Sequence, residues 1–384
     1  MPSTRTWDIF CTVVDNYGDI GVCWRLARQL AAEQGRAVRL WVDDLASFAK
    51  ICPDIVPGRD SQCSHGVEVR WWREPFPLVD PADVVVEAFA CNPPASYIAA
   101  MAARQPKPAW INLEYLSAEN WVQGCHALPS PHPSLPLVKH FFFPGFVAGT
   151  GGLLAEEGLA QTRDRFQRSA AEQADFRDAL GIPAPRDGEL QVSLFCYPHD
   201  GVAALLGAWA GGRTPVRCFV PEGTATAALS AFFGAEHLAP RAILRKGGLE
   251  VRIFPFLDQD SYDRLLWACD LNLVRGEDSF VRAQWAARPL LWQIYPQKEG
   301  AHWPKLEAFL GLYCPGLPQE TAAALTRFWR AWNKGDGNEV VAAWTGYREH
   351  NPELRAHARR WAEQLAKTGN LTNNLAQFCE NLLK

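Results

Sequence analysis

The sequence has no apolar run near the roughly 18 residues that a membrane-spanning helix needs. It has no excess of positive charge either: 38 Lys and Arg against 42 Asp and Glu give 38 − 42 = −4. Without a basic block, the cationic footprint of a nucleic-acid-binding protein is missing. The opening MPSTRTWDIF lacks the charged start and apolar centre of a signal peptide. No G-x-S-x-G elbow and no P-loop lysine motif occurs, which speaks against serine hydrolases and P-loop nucleotidases. The histidines are dispersed, with no H-x-x-x-H and no metal-ligand spacing. Eleven cysteines are present, an odd number, scattered and without a C-x-x-C pair. They read as reduced apolar fillers of a cytoplasmic protein.

What is there suits a soluble globular chain: 384 residues, 48% hydrophobic and 21% charged, enough for two domains. Sixteen tryptophans are many; most belong to a core, though rings near polar loops also stack on flat ligands. Apolar β-rich runs at 7–14, 38–42, 67–71, 84–87 and 110–113 alternate with helical stretches at 21–33, 45–51 and 94–103. A proline-rich segment, 126–146, predicts neither a long helix nor a central strand. Residues 151–182 read as a helical linker ending in the Pro/Gly signal GIPAPRDG. The alternation then restarts, with strands at 190–195, 216–220, 250–253, 270–274 and 289–292 and helices at 261–269 and 280–287. From about residue 322 the chain reads as helical to its end.

Continuous apolar strands alternating with helices predict an α/β fold with two Rossmann-like, doubly wound domains facing a central cleft. The expected divisions are 1–150, the linker 151–182, a second domain 183–350, and helices 351–384 packing back toward the first domain. Ligands in such folds lie at the carboxyl ends of strands, so the loops after strands carry the chemistry.

The first of these is DNYGDIG, 15–21. A dinucleotide fingerprint needs G-x-G-x-x-G; here Gly18 and Gly21 are flanked by Asp15 and Asp19, whose charge opposes a pyrophosphate. A carboxylate at such an edge either orients a cationic or hydroxylic nucleophile and takes its proton, or caps the helix. The second is Arg275-Gly276-Glu277-Asp278-Ser279, between a strand and a helix. Backbone N–H groups, a guanidinium and a hydroxyl together suit a diphosphate; the plainer reading is that Ser279 or Asp278 caps the helix. The third, FPFLDQDSYD, offers Phe256 to stack a base and Gln259 to read its edge. Its Asp258-x-Asp260 is a weak metal pattern, and capping explains it better. Tyr197, past the second half's first strand, either flanks a nucleotide or packs in the core. Glu114, after a strand of the first half, either grips a cationic acceptor or pairs with a lysine.

A phosphate-type loop in the second half and carboxylates in the first resemble the division of labour in a GT-B glycosyltransferase. More narrowly, WDIFCTVVDNYGDIGVCWRLARQL, INLEYLSAENWV and RGEDSFVRAQWAARPLLWQIYPQKEGAHW resemble the elongation factor P arginine rhamnosyltransferases of EarP type, over nearly the whole chain. The resemblance implies inverting, metal-independent transfer of rhamnose from dTDP-β-L-rhamnose to one arginine of elongation factor P, with no cofactor, no direct nucleic-acid partner and no membrane. It implies Asp19 as base, supported by Asp15 and Glu277. Tyr197, Phe256, Gln259, Arg275, Gly276, Asp278 and Ser279 would hold the donor, and Asn16, Tyr17, Gly18 and Glu114 the acceptor. Two rival readings are a GT-B enzyme acting on a lipid or glycan, for which no basic or apolar membrane-facing patch is found, and a nucleotide-sugar sensor without catalysis.

Overall fold

Runs such as Val84–Ala88 are apolar at every position because each strand is covered on both faces, as in parallel sheets flanked by helices. In the computed structural model, which describes residues 5–15, 17–235, 238–239 and 241–384, the strands form two sheets. The first contains β1 (Thr6–Cys11), β2 (Ala37–Val42), β3 (Ser61–Ser64), β4 (Val67–Trp71), β5 (Val84–Ala88), β6 (Ala109–Leu113), β7 (Pro129–Pro131) and β8 (Val138–Phe142). Their order is β3-β4-β2-β1-β5-β6-β8-β7. The inner pairings are parallel; β3 and β7, at the two edges, run antiparallel to their neighbours.

The proline-rich segment corrects the expectation made for it. Its prolines do confine β7 to the edge, where a missing N–H costs no ladder bond. Yet VKHFF, between two prolines, is a strand inside the sheet, pairing with β6 on one side and β7 on the other.

The second sheet contains β9 (Leu190–Leu194), β10 (Val216–Pro221), β11 (Ile243–Lys246), β12 (Leu249–Phe254), β13 (Leu271–Arg275) and β14 (Leu290–Gln293). The order is β11-β12-β10-β9-β13-β14, parallel apart from the edge strand β11. In both sheets the first strand has the second on one side and a later one on the other. Strand order therefore reverses beside β1 and beside β9, where doubly wound folds bind ligands.

The chain divides into two units: Met1–Glu157 with Leu365–Lys384, and Gly158–Gln364. Of the stretch expected as a linker, 151–182, residues 151–157 belong to the first unit, and the rest, with helices Leu159–Arg168 and Ala170–Ala179, to the second. The last helix, Leu371–Leu382, belongs to the first unit. Its Leu371, Leu375, Ala376 and Cys379 share a core with Ile9, Trp24, Leu26, Val38 and Ile111. Asn370 caps that helix through the N–H groups of Thr372 and Asn373, and the Leu371 N–H bonds to Leu153 O at 3.0 Å. Among the described residues no helix is long and apolar enough to cross a membrane.

Candidate active site

In the first unit the helix after β1 begins at Gly18, three residues earlier than its hydrophobic pattern suggests. Gly18 and Asp19 therefore stand in its first turn and not in a loop. The N-cap position falls on Tyr17, which makes no side-chain cap bond, so neither aspartate is the N-cap. Asp19 Oδ2 instead accepts backbone N–H bonds from Val14 at 2.9 Å and Asp15 at 2.8 Å. The carboxylate is 2% exposed and folds the loop back over the helix start. The loop closes further through the Gly18 N–H to Asp15 O at 2.7 Å. A Cβ added at Gly18 would lie 2.9 Å from Asp15 Oδ2, so the glycine lets the second carboxylate lie against the helix. Asn16 lies outside the described residues.

Glu114 follows β6 at the same, carboxyl end of the sheet. Its backbone N–H bonds to Phe142 O at 2.9 Å, and its Oε1 accepts from the Asn112 amide. Burial pushes its carboxyl above the ordinary range. Lys139, whose charge acts on the Glu114 carboxyl, is engaged by Glu87, 3.1 Å away, which also accepts from Trp110 Nε1. Glu114 therefore shares an environment with an ion pair and does not make that pair itself. Beside it, Tyr115 stacks on Phe89 with ring centroids 4.4 Å apart.

In the second unit Arg275, at the tip of β13, is held between two rings. Its guanidinium lies 4.3 Å from the Phe195 centroid and 4.6 Å from that of Tyr197, both just past β9. Such contacts fix a planar cation where an anion can meet its edge. Gly276 takes the left-handed φ of 60° that turns the chain into the next helix, and Trp292 Nε1 donates to its carbonyl at 2.8 Å. Glu277 occupies the N-cap position without a side-chain cap bond, and the helix runs Asp278–Trp285. The plain capping reading fails here. Ser279 is buried, its hydroxyl accepting from the Arg275 N–H at 3.1 Å and donating to the Arg275 carbonyl, so it staples strand tip to helix.

Gln259 is the first residue of helix Gln259–Ala268 and 5% exposed, not a loop residue; its amide reaches Asp278 Oδ2 at 3.4 Å. Asp258 is the N-cap of that helix, accepting from the Ser261 N–H at 2.9 Å and hydroxyl at 2.8 Å. Phe256 packs edge-on to Phe195. Tyr197 is buried and T-shaped to the exposed Tyr295, past β14. Phe195, Tyr262 and Tyr295 thus join the ring cluster without having been singled out in the sequence. Their signal was position: an aromatic one to eight residues past a strand, or one turn into the helix after it. Nearby, His199 packs edge-on to Trp332, and burial lowers it to about 4.

The two helices are locked together by a buried ion pair, Arg282 Nε to Asp263 Oδ1 at 3.0 Å with a second bond through Nη2. The pair aligns the helix starts that carry Gln259 and Asp278. Asp263→Ala leaves a buried guanidinium without this partner, which costs about 3–5 kcal/mol. Thermal unfolding of the variant should shift down by roughly 10 °C for a unit of this size, measurable by calorimetry.

This architecture is that of a GT-B glycosyltransferase. A UDP-glucosyltransferase from Polygonum tinctorium aligns with a TM-score of 0.53 over 99% of each chain, at 10% identity, a likeness of fold alone. The family is narrower. The profile of the family described as Elongation-Factor P (EF-P) rhamnosyltransferase EarP matches residues 7–380, and the chain belongs to that family of rhamnosyltransferases. It is 52% identical over 378 residues to a protein-arginine rhamnosyltransferase of Pseudomonas putida, covering 98% of this chain and 99% of that protein. A solved structure giving the basis for EarP-mediated arginine glycosylation of translation elongation factor EF-P aligns with a TM-score of 0.71 and 39% identity, over 98% of this chain and 99% of that one.

Proposed function

We propose that this protein transfers rhamnose from dTDP-β-L-rhamnose to one arginine of elongation factor P, with inversion and without a metal. The second unit takes the donor and the first the acceptor. The observation that carries this reading is the Asp19 carboxylate, buried and fixed by two backbone N–H bonds at the head of the first unit's ligand-binding end. A carboxylate so placed repels phosphate and attracts a cation.

A guanidinium is protonated, with a pKa above about 12, and its lone pairs are delocalised. Hydrogen bonds to Asp19, with Asp15 and Glu277 assisting, polarise it and concentrate electron density on one nitrogen. That nitrogen forms a bond to the anomeric carbon as the bond from carbon to the diphosphate oxygen breaks on the opposite face. The new C–N bond makes the nitrogen far more acidic, and Asp19 accepts its proton. Charge growing on the departing dTDP meets Arg275 and the N–H groups of the helix start at Asp278 and Ser279. Phe256, Tyr197 and Gln259 hold the nucleoside, and Tyr17, Gly18 and Glu114 the acceptor side chain. Asp258 caps its helix through the Ser261 N–H and hydroxyl, which accounts for the Asp258-x-Asp260 pattern without a metal role.

Incubation of the purified protein with elongation factor P and dTDP-β-L-rhamnose should add one rhamnosyl mass to the acceptor, on an arginine, with chelator present; no mass change overturns the reading. Gly18→Ala separates positioning from folding. Alanine favours a helix by about 1 kcal/mol, so stability should hold or rise. The new methyl displaces the Asp15 carboxylate, and kcat should fall roughly tenfold or more. Unchanged kcat would show that the Asp15 position is immaterial.

A further inference from the structure

At the amino end of the first sheet, opposite the loop that carries Asp19, three ligand-type side chains from two loops converge. Cys52 ends the helix Leu45–Ile51, Asp54 follows it, and His65 lies in the tight turn from β3 to β4. One ligand atom of each, a sulfur, a carboxylate oxygen and a ring nitrogen, lies within 4.8 Å of the other two. The Ser64 hydroxyl stands among them, 2.8 Å from His65 Nδ1, 3.4 Å from Asp54 Oδ2 and 3.8 Å from Cys52 Sγ. His65 Nδ1 and Asp54 Oδ2 are 3.9 Å apart.

A tetrahedral zinc ion with arms of about 2.0–2.3 Å separates its ligand atoms by about 3.3–3.8 Å. The four groups here stand at those separations or within about 1 Å of them. A thiol, an imidazole and a carboxylate are the ligand types zinc takes, and the buried Cys52 meets Asp54 and His65 where these reach solvent, which gives an ion a way in. The site is partly ordered in advance: Cys52 is 3% exposed and Ser64 6%, and the His65 ring sits edge-on to the buried Trp24 at 5.7 Å.

We propose that Cys52, Asp54 and His65 bind a zinc-class divalent cation, with the Ser64 hydroxyl, or a water it holds, at the fourth corner. The Cys52 thiol gives its proton to solvent as its sulfur takes the metal. The ion staples the loop after residue 51 to the β3–β4 turn, remote from the transfer chemistry.

Full-length protein stripped of metal and titrated with Co²⁺ should develop a near-ultraviolet thiolate-to-cobalt charge-transfer band that saturates at one ion per chain and is displaced by Zn²⁺. Cys52→Ser should abolish the band, while Cys63→Ser, at the exposed cysteine of β3, should leave it. His65→Asn keeps a side chain that accepts the left-handed backbone at this position, where φ is 49°. It should fold as the parent does and weaken Zn²⁺ by at least about tenfold in calorimetry. No charge-transfer band in the parent, a band that survives Cys52→Ser, or equal Zn²⁺ affinity in His65→Asn would each overturn the site.

Discussion

Asp19→Asn should keep its fold and its affinity for dTDP, yet transfer rhamnose to elongation factor P about 10²- to 10⁴-fold more slowly. The amide is nearly isosteric, and its oxygen still accepts from the Val14 and Asp15 N–H groups, so the loop keeps its shape. What disappears is a negative charge and a proton acceptor. The mechanism proposed above needs both: the charge to bind and polarise a guanidinium, the acceptor to remove the proton released when the C–N bond forms. Intact-mass time courses on elongation factor P measure the rate, and calorimetry with dTDP checks the donor half independently. Turnover within twofold of the parent would remove Asp19 from the mechanism.

Arg275→Ala should weaken dTDP binding by about tenfold to a hundredfold, the size expected of a charge-assisted contact of roughly 1.5–3 kcal/mol. The side chain also packs on the Phe195 and Tyr197 rings, so its loss removes two cation–π contacts from the loop after β9. Lysine should restore little. Its ammonium is a point charge, without the planar face that stacks on aromatic rings. Unaltered dTDP affinity in the alanine variant would refute the assignment.

The parallel strands were legible because burial on both faces leaves unbroken apolar runs, as in VVVEA and LNLVR. The edge strands β3, β7 and β11 were not, since their short sequences, such as SQCS and PSP, are too polar or proline-rich to show a period. The loops at the carboxyl ends of strands could be located, but the bonding of individual atoms inside them could not. Asp19 could have been a base or a cap, and Ser279 a diphosphate ligand or a cap; neither is an N-cap, since Asp19 ties down the preceding loop and Ser279 is bonded to the Arg275 backbone. Each outcome depends on where a helix begins to within one turn, which periodicity leaves undetermined. The Asp263–Arg282 pair and the Cys52–Asp54–His65 convergence were invisible for another reason. Their members lie on different elements, 19 residues apart in the pair and 13 between Cys52 and His65, at spacings no local pattern marks.

The helix Leu371–Leu382 closes a core begun by residues near the opposite end of the chain. A ribosome makes Ile9 and Trp24 before the Gly158–Gln364 unit and Leu375 after it, so these early residues await a late covering while the Gly158–Gln364 unit is already available to fold. Emergence of the Leu371–Leu382 helix, and not of the Asp19 loop, would then time when a nascent molecule becomes competent. Removing Leu371–Leu382 would leave a greasy opening on the leading lobe, an invitation to chaperones and proteases.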